Sequence, residues 1–471
     1  MRLKRAGAKP TSATVVGANT KGRGFSYGWA LVVTLGLTTI ISYGTTEYLF
    51  SVLVAPLSRA FGWDRASVSG AYSLMLVLGG LLGVPIGRLV DRRGARRVMA
   101  VGSAVGGLSL LGLAGMHALW QFYLLWAGGL GVATALTFYP VTFTVVANWF
   151  ERRRGSALAL LTLLGGLASP IFIPLAGALV VRLGWRDTLI VMALAQLGIA
   201  LPLHVIVLRR HPEDLGLWPD GANGPDQQVS PHSAAARSSG EAEVVPTVPG
   251  VPGVPGVPGV PGVTVRTAVA GAPFWTLTAA YACASLATNV LLVHTVVYLI
   301  GRGYNGALAA TVAGAVGLTS LPGRYGLNRL SDRAGVGPQR LLCLCMVLQA
   351  VGVLLLLGGG VFGFGWLVAY VVVYGSAYGA ASPLRAGVMA EQFGRRAYGA
   401  ITAIQGAPVA LAAGLGPLVA GWLYDHLGTY DLALEICAGA FLFAAVGVAL
   451  TPRRTRTTSG DKGRSTALRN L

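Results

Sequence analysis

Charge is the scarcest commodity in this chain. Only 11% of its 471 residues are Asp, Glu, Lys or Arg, while 54% are hydrophobic. A water-facing globular protein carries roughly 25% charged residues, so a soluble surface is excluded. Acidic groups are scarcer still, with 17 Asp and Glu against 36 Lys and Arg. Cysteine is nearly absent. Cys283, Cys343, Cys345 and Cys437 all fall in apolar segments, and Cys343 and Cys345 are spaced so that they do not share a helix face. No disulfide framework and no metal-ligand spacing arise, and the four read as packing residues. No G-x-x-x-x-G-K-S/T loop occurs, which excludes ATP as an energy source by that route. No paired nucleophile and base is found. The chain reads as neither an enzyme nor the holder of a metal or cofactor.

What is present is oil. Mean hydropathy is +0.64, and apolar runs of about 20 residues recur, the length that crosses ~30 Å of hydrocarbon. Read against charged and turn-rich breaks, they predict twelve helices in two sets. The first six lie near 28–54, 67–89, 97–117, 119–147, 156–181 and 187–208. The second six lie near 273–300, 307–330, 339–359, 363–391, 397–424 and 430–451. The N-terminus is basic and polar, without a short apolar core and cleavage site, so the chain is expected to start in the cytosol and insert uncleaved.

A net charge of +19 suggests nucleic acid until the charges are placed. Of the 36 Lys and Arg residues, only Arg59, Arg65, Arg182, Arg186 and Arg302 fall in the odd-numbered connections. The rest lie in the tails, the even-numbered connections or toward those ends of the helices. Positive charge stays on the cytoplasmic side, which puts both termini in the cytosol and leaves no need for nucleic acid. The organisation expected is a basic tail (1–26), a six-helix bundle (27–208), a cytosolic linker (209–272), a second bundle (273–451) and a basic tail (452–471). The linker contains five Val-Pro-Gly triplets at 248–262. Proline in each triplet removes amide donors and blocks helix and sheet, so a flexible or extended spacer is expected.

The halves repeat. "GRLVDRRG" (87–94) aligns with "NRLSDRAG" (328–335) at an offset of 241, five of eight residues being identical. "PVTFTVVANWF" (140–150) aligns with "PLRAGVMAEQF" (383–393) at 243, and "RLGWRD" (182–187) with "HLGTYD" (426–431) at 244. Two parallel six-helix halves with a site between them near the midplane is a transporter plan.

"GRLVDRRGARR" (87–97) resembles the loop signature of the major facilitator superfamily, through Gly87, Leu89, Asp91, Arg92, Gly94, Arg96 and Arg97. The physical logic is a gate: Asp91 among arginines can bridge helix ends in one state and release them in another. Asp332 and Arg333 repeat the pattern in the second half. "YGW" (27–29), "FGWDRASVSGAYSL" (61–74), "NWFERRRGSALAL" (148–160) and "LPGRYGLNRLSDR" (321–333) resemble the monocarboxylate transporter group and its bacterial relatives, the oxalate/formate antiporters included. That resemblance implies transport of small carboxylate anions, often with a proton.

Few polar residues interrupt the spans. Arg324 precedes Asp332 by eight residues, about 12 Å along a helix. A lipid-facing Arg at that depth costs about 2.5–3.5 kcal/mol, and snorkelling is its bland alternative. Gly317, Ser320, Arg324 and Asn328 recur at three- and four-residue steps, a small polar stripe that suits a cavity. The guanidinium fork matches a carboxylate, and the resemblance assigns the helix 8 arginine to the anion. His294 and Tyr298 share a face of helix 7. They are read either as a substrate and proton pair, as in bacterial relatives, or as a satisfied core histidine with its neighbour. Glu47 lies deep in helix 1, 18 residues after Trp29, and His294 lies 19 after Trp275. Glu47 therefore reads as a proton carrier, a partner of His294, or a residue of the outer rim. Tyr139 beside Pro140 and Arg385 beyond Pro383 are related by the repeat and are cavity candidates, with the cytoplasmic rim as the other placement for Arg385. Tyr374 and Tyr378, one turn apart, read as packing.

The sequence thus predicts an all-α, twelve-span plasma-membrane protein, monomeric, in two pseudo-symmetric six-helix bundles. Its expected work is alternating-access transport of a small organic anion such as lactate or pyruvate, by proton symport or anion exchange. A carrier of an unrelated drug or sugar, and a non-transporting receptor, are the rival readings.

Overall fold

The computed structural model describes residues 21–150, 153–209, 212–217, 263–334, 336–394 and 397–452. The Val-Pro-Gly run and most of both tails lie outside the described residues. Twelve helices are long and apolar enough to cross a membrane, and no strand occurs among the described residues. They are α1 (Tyr27–Phe61), α2 (Arg65–Arg93), α3 (Ala95–Ala114), α4 (Leu119–Trp149), α5 (Arg154–Leu183) and α6 (Trp185–Ile206). After the linker come α7 (Ala272–Gly301), α8 (Gly306–Ala334), α9 (Pro338–Phe362), α10 (Phe364–Phe393), α11 (Tyr398–Leu427) and α12 (Asp431–Leu450). The all-α, twelve-span fold expected from the apolar runs is the fold observed. With six spans in each set, the start of α1, the end of α12 and the basic α2–α3 turn share one end of the molecule, the terminal end.

Tight turns keep the spans antiparallel. Gly94 joins α2 to α3 with φ +79°, a conformation that costs a side chain dearly. This explains the glycine of the loop signature. α1 is interrupted by a π-helical turn at Gly44–Tyr48, which changes the facing of the residues on it. Pro174, Pro322 and Pro383 stand inside α5, α8 and α10. Neighbouring helices make such prolines tolerable in a membrane.

The buried apolar residues show how the two sets meet. Toward the far end, one continuous cluster draws on both sets, including Phe50, Trp126, Val293 and Phe441. Toward the terminal end the core divides. Leu31, Val90, Val146 and Leu161 belong to a cluster of the first set, and Phe274, Leu342, Val388 and Ile401 to one of the second. The bundles are joined on the far side and parted on the terminal side.

Glycine seams make the join. A Cβ on Gly421 of α11 would lie 2.7 Å from the Arg65 carbonyl of α2, and one on Gly414 would lie 2.9 Å from that of Ser73. Across the other seam, Gly177 of α5 would meet Ala310 of α8 at 2.7 Å, and Gly314 would meet Pro174 at 2.8 Å. Small residues let helices approach this closely where apolar burial supplies no drive. Toward the terminal end the contacts stop: a Cβ at Gly83, Gly87, Gly326 or Gly406 meets nothing within 4 Å. The structure is therefore a wedge, closed at the far end and open at the terminal end.

Candidate functional site

The wedge narrows onto a group of polar side chains. Glu47 stands on the π-helical turn of α1. It lines a cavity of about 170 Å³ with Tyr43, Gly79, Gly83, Thr134 and Pro140. The opposite wall of that cavity is made by a break in α4. Phe138 is extended there (φ −80°, ψ −179°), and α4 restarts at Tyr139 with Pro140 behind it, a position that needs no amide donor. Tyr43 stacks on Phe138 with ring centroids 3.7 Å apart, and its ring lies 5.2 Å from that of Tyr139.

Arg324 enters from the second bundle. Gly323 precedes it and presses directly on the α10 backbone at Ser376, where no side chain fits. That close approach brings the guanidinium to both bundles at once. Its Nη1 donates to the Thr162 carbonyl of α5 at 3.2 Å, and its Nε to the Gly379 carbonyl of α10 at 3.4 Å. Both are long bonds to neutral carbonyl acceptors. The Tyr139 hydroxyl lies against Gly165, one turn after Thr162 on α5, and Tyr378 directly precedes Gly379 on α10. Two tyrosines, one from each bundle, thus flank the backbone that Arg324 contacts.

Tyr378 carries more than packing. It lines a cavity of about 40 Å³ with Tyr48, Ser169, Thr288 and Tyr374, and also a larger one deeper in the second bundle. The repeat offset of 243 pairs it with Ala135, which lines the Glu47 cavity. That equivalence was the available signal for its role.

His294 keeps different company. Its Nε2 is 3.0 Å from the Pro417 carbonyl of α11, and its ring lies 4.8 Å from that of Tyr430. Tyr298, one turn on, has its ring 5.4 Å from the Arg302 guanidinium. The pair belongs to the closed far end, whereas Glu47, Tyr139 and Arg324 gather at the wedge. Arg385 is in the second bundle, with its guanidinium 4.2 Å from the Tyr281 ring centroid.

The far-end closure is polar as well as packed. Asp425 of α11 accepts from the backbone N–H groups of Arg65 (3.0 Å) and Ala66 (2.8 Å), at the start of α2. A carboxylate there meets the positive end of the helix. The Arg65 side chain donates to the Tyr430 hydroxyl at 2.9 Å and lies over the Tyr424 ring at 3.8 Å. Burial pushes the Tyr430 hydroxyl above its ordinary range, so it stays a neutral acceptor beside Arg65. Arg302 pairs with Asp431 nearby. From the sequence these residues looked like ordinary loop charges.

At the terminal end, Gly87, Arg92 and Arg96 are exposed. Asp91, Asp332 and Arg333 sit on helical backbone, and their side chains lie outside the described residues. Among the described residues no three His, Cys, Asp or Glu side chains group as metal ligands.

The sequence matches the Major Facilitator Superfamily over residues 35–344 and 336–470. It is similar to monocarboxylate transporter 13 of Bos taurus, at 26% identity over 428 residues, 90% of this chain and 89% of the relative. Monocarboxylate transporter 12 of Rattus norvegicus is 24% identical over 467 residues, 95% of this chain and 90% of the relative. Among solved structures, a bacterial homologue of the human lysosomal transporter Spinster superposes with a TM-score of 0.61 at 14% identity, covering 90% of this chain and 95% of that one. The nucleoside transporter NupG gives 0.63 at 14%, covering 89% and 99%. At such identity the two structures speak to the fold.

Proposed function

The chain belongs to the major facilitator superfamily, and from that premise we propose that it is a secondary carrier of a small organic carboxylate such as lactate or pyruvate. The observation that carries this reading is Arg324. Its guanidinium reaches α5 of one bundle and α10 of the other, at the point where the wedge narrows. Arg presents a planar donor fork that suits a carboxylate and keeps its charge at every physiological pH. A carboxylate bound there can replace long bonds to backbone carbonyls with charge-assisted ones. The names of the two relatives point to the same substrate class.

The positive-inside rule puts the basic terminal end in the cytosol of a plasma-membrane protein. The structure is then the inward-open state. An anion entering from the cytosol meets Arg324, with Tyr139 and Tyr378 beside it. Rocking of the bundles closes the terminal end and parts the far end, breaking the Asp425–α2 and Arg65–Tyr430 bonds. Glu47 is the acidic side chain of the wedge cavity. A proton taken up there compensates the anion's charge in symport, and exchange for a second anion compensates it in antiport.

The test is uptake of labelled lactate, pyruvate and oxalate into liposomes containing the purified protein, with and without an inward proton gradient. Carboxylate uptake above empty liposomes supports the reading. A folded, correctly inserted sample that moves none of the three rejects it and favours a carrier of another small molecule.

A further inference from the structure

Arg385 is the second permanent charge set inside the apolar spans. It lies eight residues before the end of α10, about 12 Å along the axis, and six beyond Gly379, about 9 Å on the terminal side of Arg324's contact. Its guanidinium does not run toward the helix end. It crosses to α7 and rests over Tyr281, which is fully buried. Among the described residues it makes no hydrogen bond and no ion pair. A cation in that position needs a counter-charge or water.

The space in front of it is built for one. A cavity of about 190 Å³ opens between α7, α9 and α10, roughly the volume of six waters. Arg385, Ser285, Ser382, Thr288 and Tyr378 bring donors to its wall, and no acidic residue lines it. The side-chain nitrogens of Asn289 and Gln349 are turned back to the Ser285 and Cys345 carbonyls, at 2.9 Å and 3.3 Å. Tyr378 joins this cavity to the Arg324 site: it lines the cavity, and the carbonyl of the next residue, Gly379, accepts from Arg324.

We propose that the Arg385 cavity is a second anion site, which holds a small carboxylate on the terminal side of Arg324, linked to it through Tyr378. The proposal rests on the carboxylate reading above for its ligand class. Its physical content is separate: two cations on one path let the anion be received at Arg385 before Arg324 is reached. Tyr378, facing both, can pass its hydroxyl's hydrogen bond from one bound anion to the other.

The test is equilibrium binding of labelled pyruvate to the purified full-length protein, using wild type, Arg324→Gln, Arg385→Gln and Arg385→Lys. Each variant is first checked for a monodisperse, helical preparation. Two sites predict that wild type saturates with roughly twice the pyruvate of either Gln variant, and that Arg385→Lys restores the wild-type level. Unchanged saturation in Arg385→Gln, with binding lost in Arg324→Gln, overturns the second site and leaves the primary reading standing. Binding lost in Arg385→Gln but unchanged in Arg324→Gln leaves a single site at Arg385, and overturns both the two-site proposal and the assignment at Arg324. Chloride added in excess over the labelled pyruvate, against an equal osmolarity of uncharged sucrose, distinguishes the ligand source. Pyruvate retained on the Arg385-dependent site supports a carboxylate site, and its full displacement assigns the site to inorganic anions and overturns the proposal.

Discussion

Asp425 of one bundle caps the first helix after the far-end turn of the other, accepting from Arg65 and Ala66 at 3.0 Å and 2.8 Å. The bond is made across the interface that must part when the carrier turns over. It belongs to the closed far end and is lost when that end opens. Removing it should tilt the equilibrium outward. Charge-assisted bonds contribute about 1.5–3 kcal/mol, so Asp425→Ala should raise the far-end-open population roughly tenfold or more. Spin labels at Arg59 and His426, both exposed near the far end, would report a longer distance component. An unchanged distribution would deny the clamp a part in gating.

Packing at the same seam makes a second prediction. A Cβ at Gly421 would sit 2.7 Å from the Arg65 carbonyl, whereas one at Gly406 on the same helix meets nothing within 4 Å. Gly421→Ala should hinder far-end closure and slow exchange severalfold. Gly406→Ala should leave exchange near wild type. Equal rates for the two variants in a counterflow assay would contradict the seam as the closing surface.

The proton-coupling role proposed for Glu47 is separable from binding. Glu47→Gln keeps the shape of the wedge cavity and removes the titratable group. Accumulation driven by an inward proton gradient should be lost, while exchange of external for internal anion persists. Gradient-driven accumulation at the wild-type level would exclude Glu47 as the coupling residue.

The linker is expected to act as a spacer. Deleting 248–262, the five Val-Pro-Gly triplets, should leave the uptake rate per inserted protein within about twofold, because loop-closure entropy changes slowly with length. A large loss of flux from a protein that still inserts would give the segment a function of its own.

Much of this was open to reading from the sequence, for identifiable reasons. Twelve spans follow from apolar run length, and the two halves from the near-constant offset of three motifs. Arg324 stood out because a permanent charge beside Pro322 and Gly323 has few tolerable placements in hydrocarbon. The far-end clamp did not stand out. Arg65, Asp425 and Tyr430 sit at turns, where charged and aromatic residues are ordinary, and only their meeting across the bundles gives them meaning. Glu47 and His294 show the limit of counting. Their nearly equal spacing from Trp29 and Trp275 fixes depth along a helix but not the face. The π-helical turn aims one at the wedge, and packing against α11 takes the other to Pro417. Tyr378 was hidden because a one-turn tyrosine pair usually packs. Its neighbour Gly379, which accepts from Arg324, makes it part of the site.

The central claim is that Arg324 holds the transported anion. The measurement that tests it most directly is pyruvate flux into liposomes carrying equal amounts of wild type, Arg324→Lys and Arg324→Gln, with insertion checked by protease access. The expected result is a drop of about ten- to hundredfold for Arg324→Gln, the equivalent of about 1.5–3 kcal/mol, and an intermediate rate for Arg324→Lys, which keeps the charge but not the fork. Full pyruvate flux in Arg324→Gln would contradict the claim.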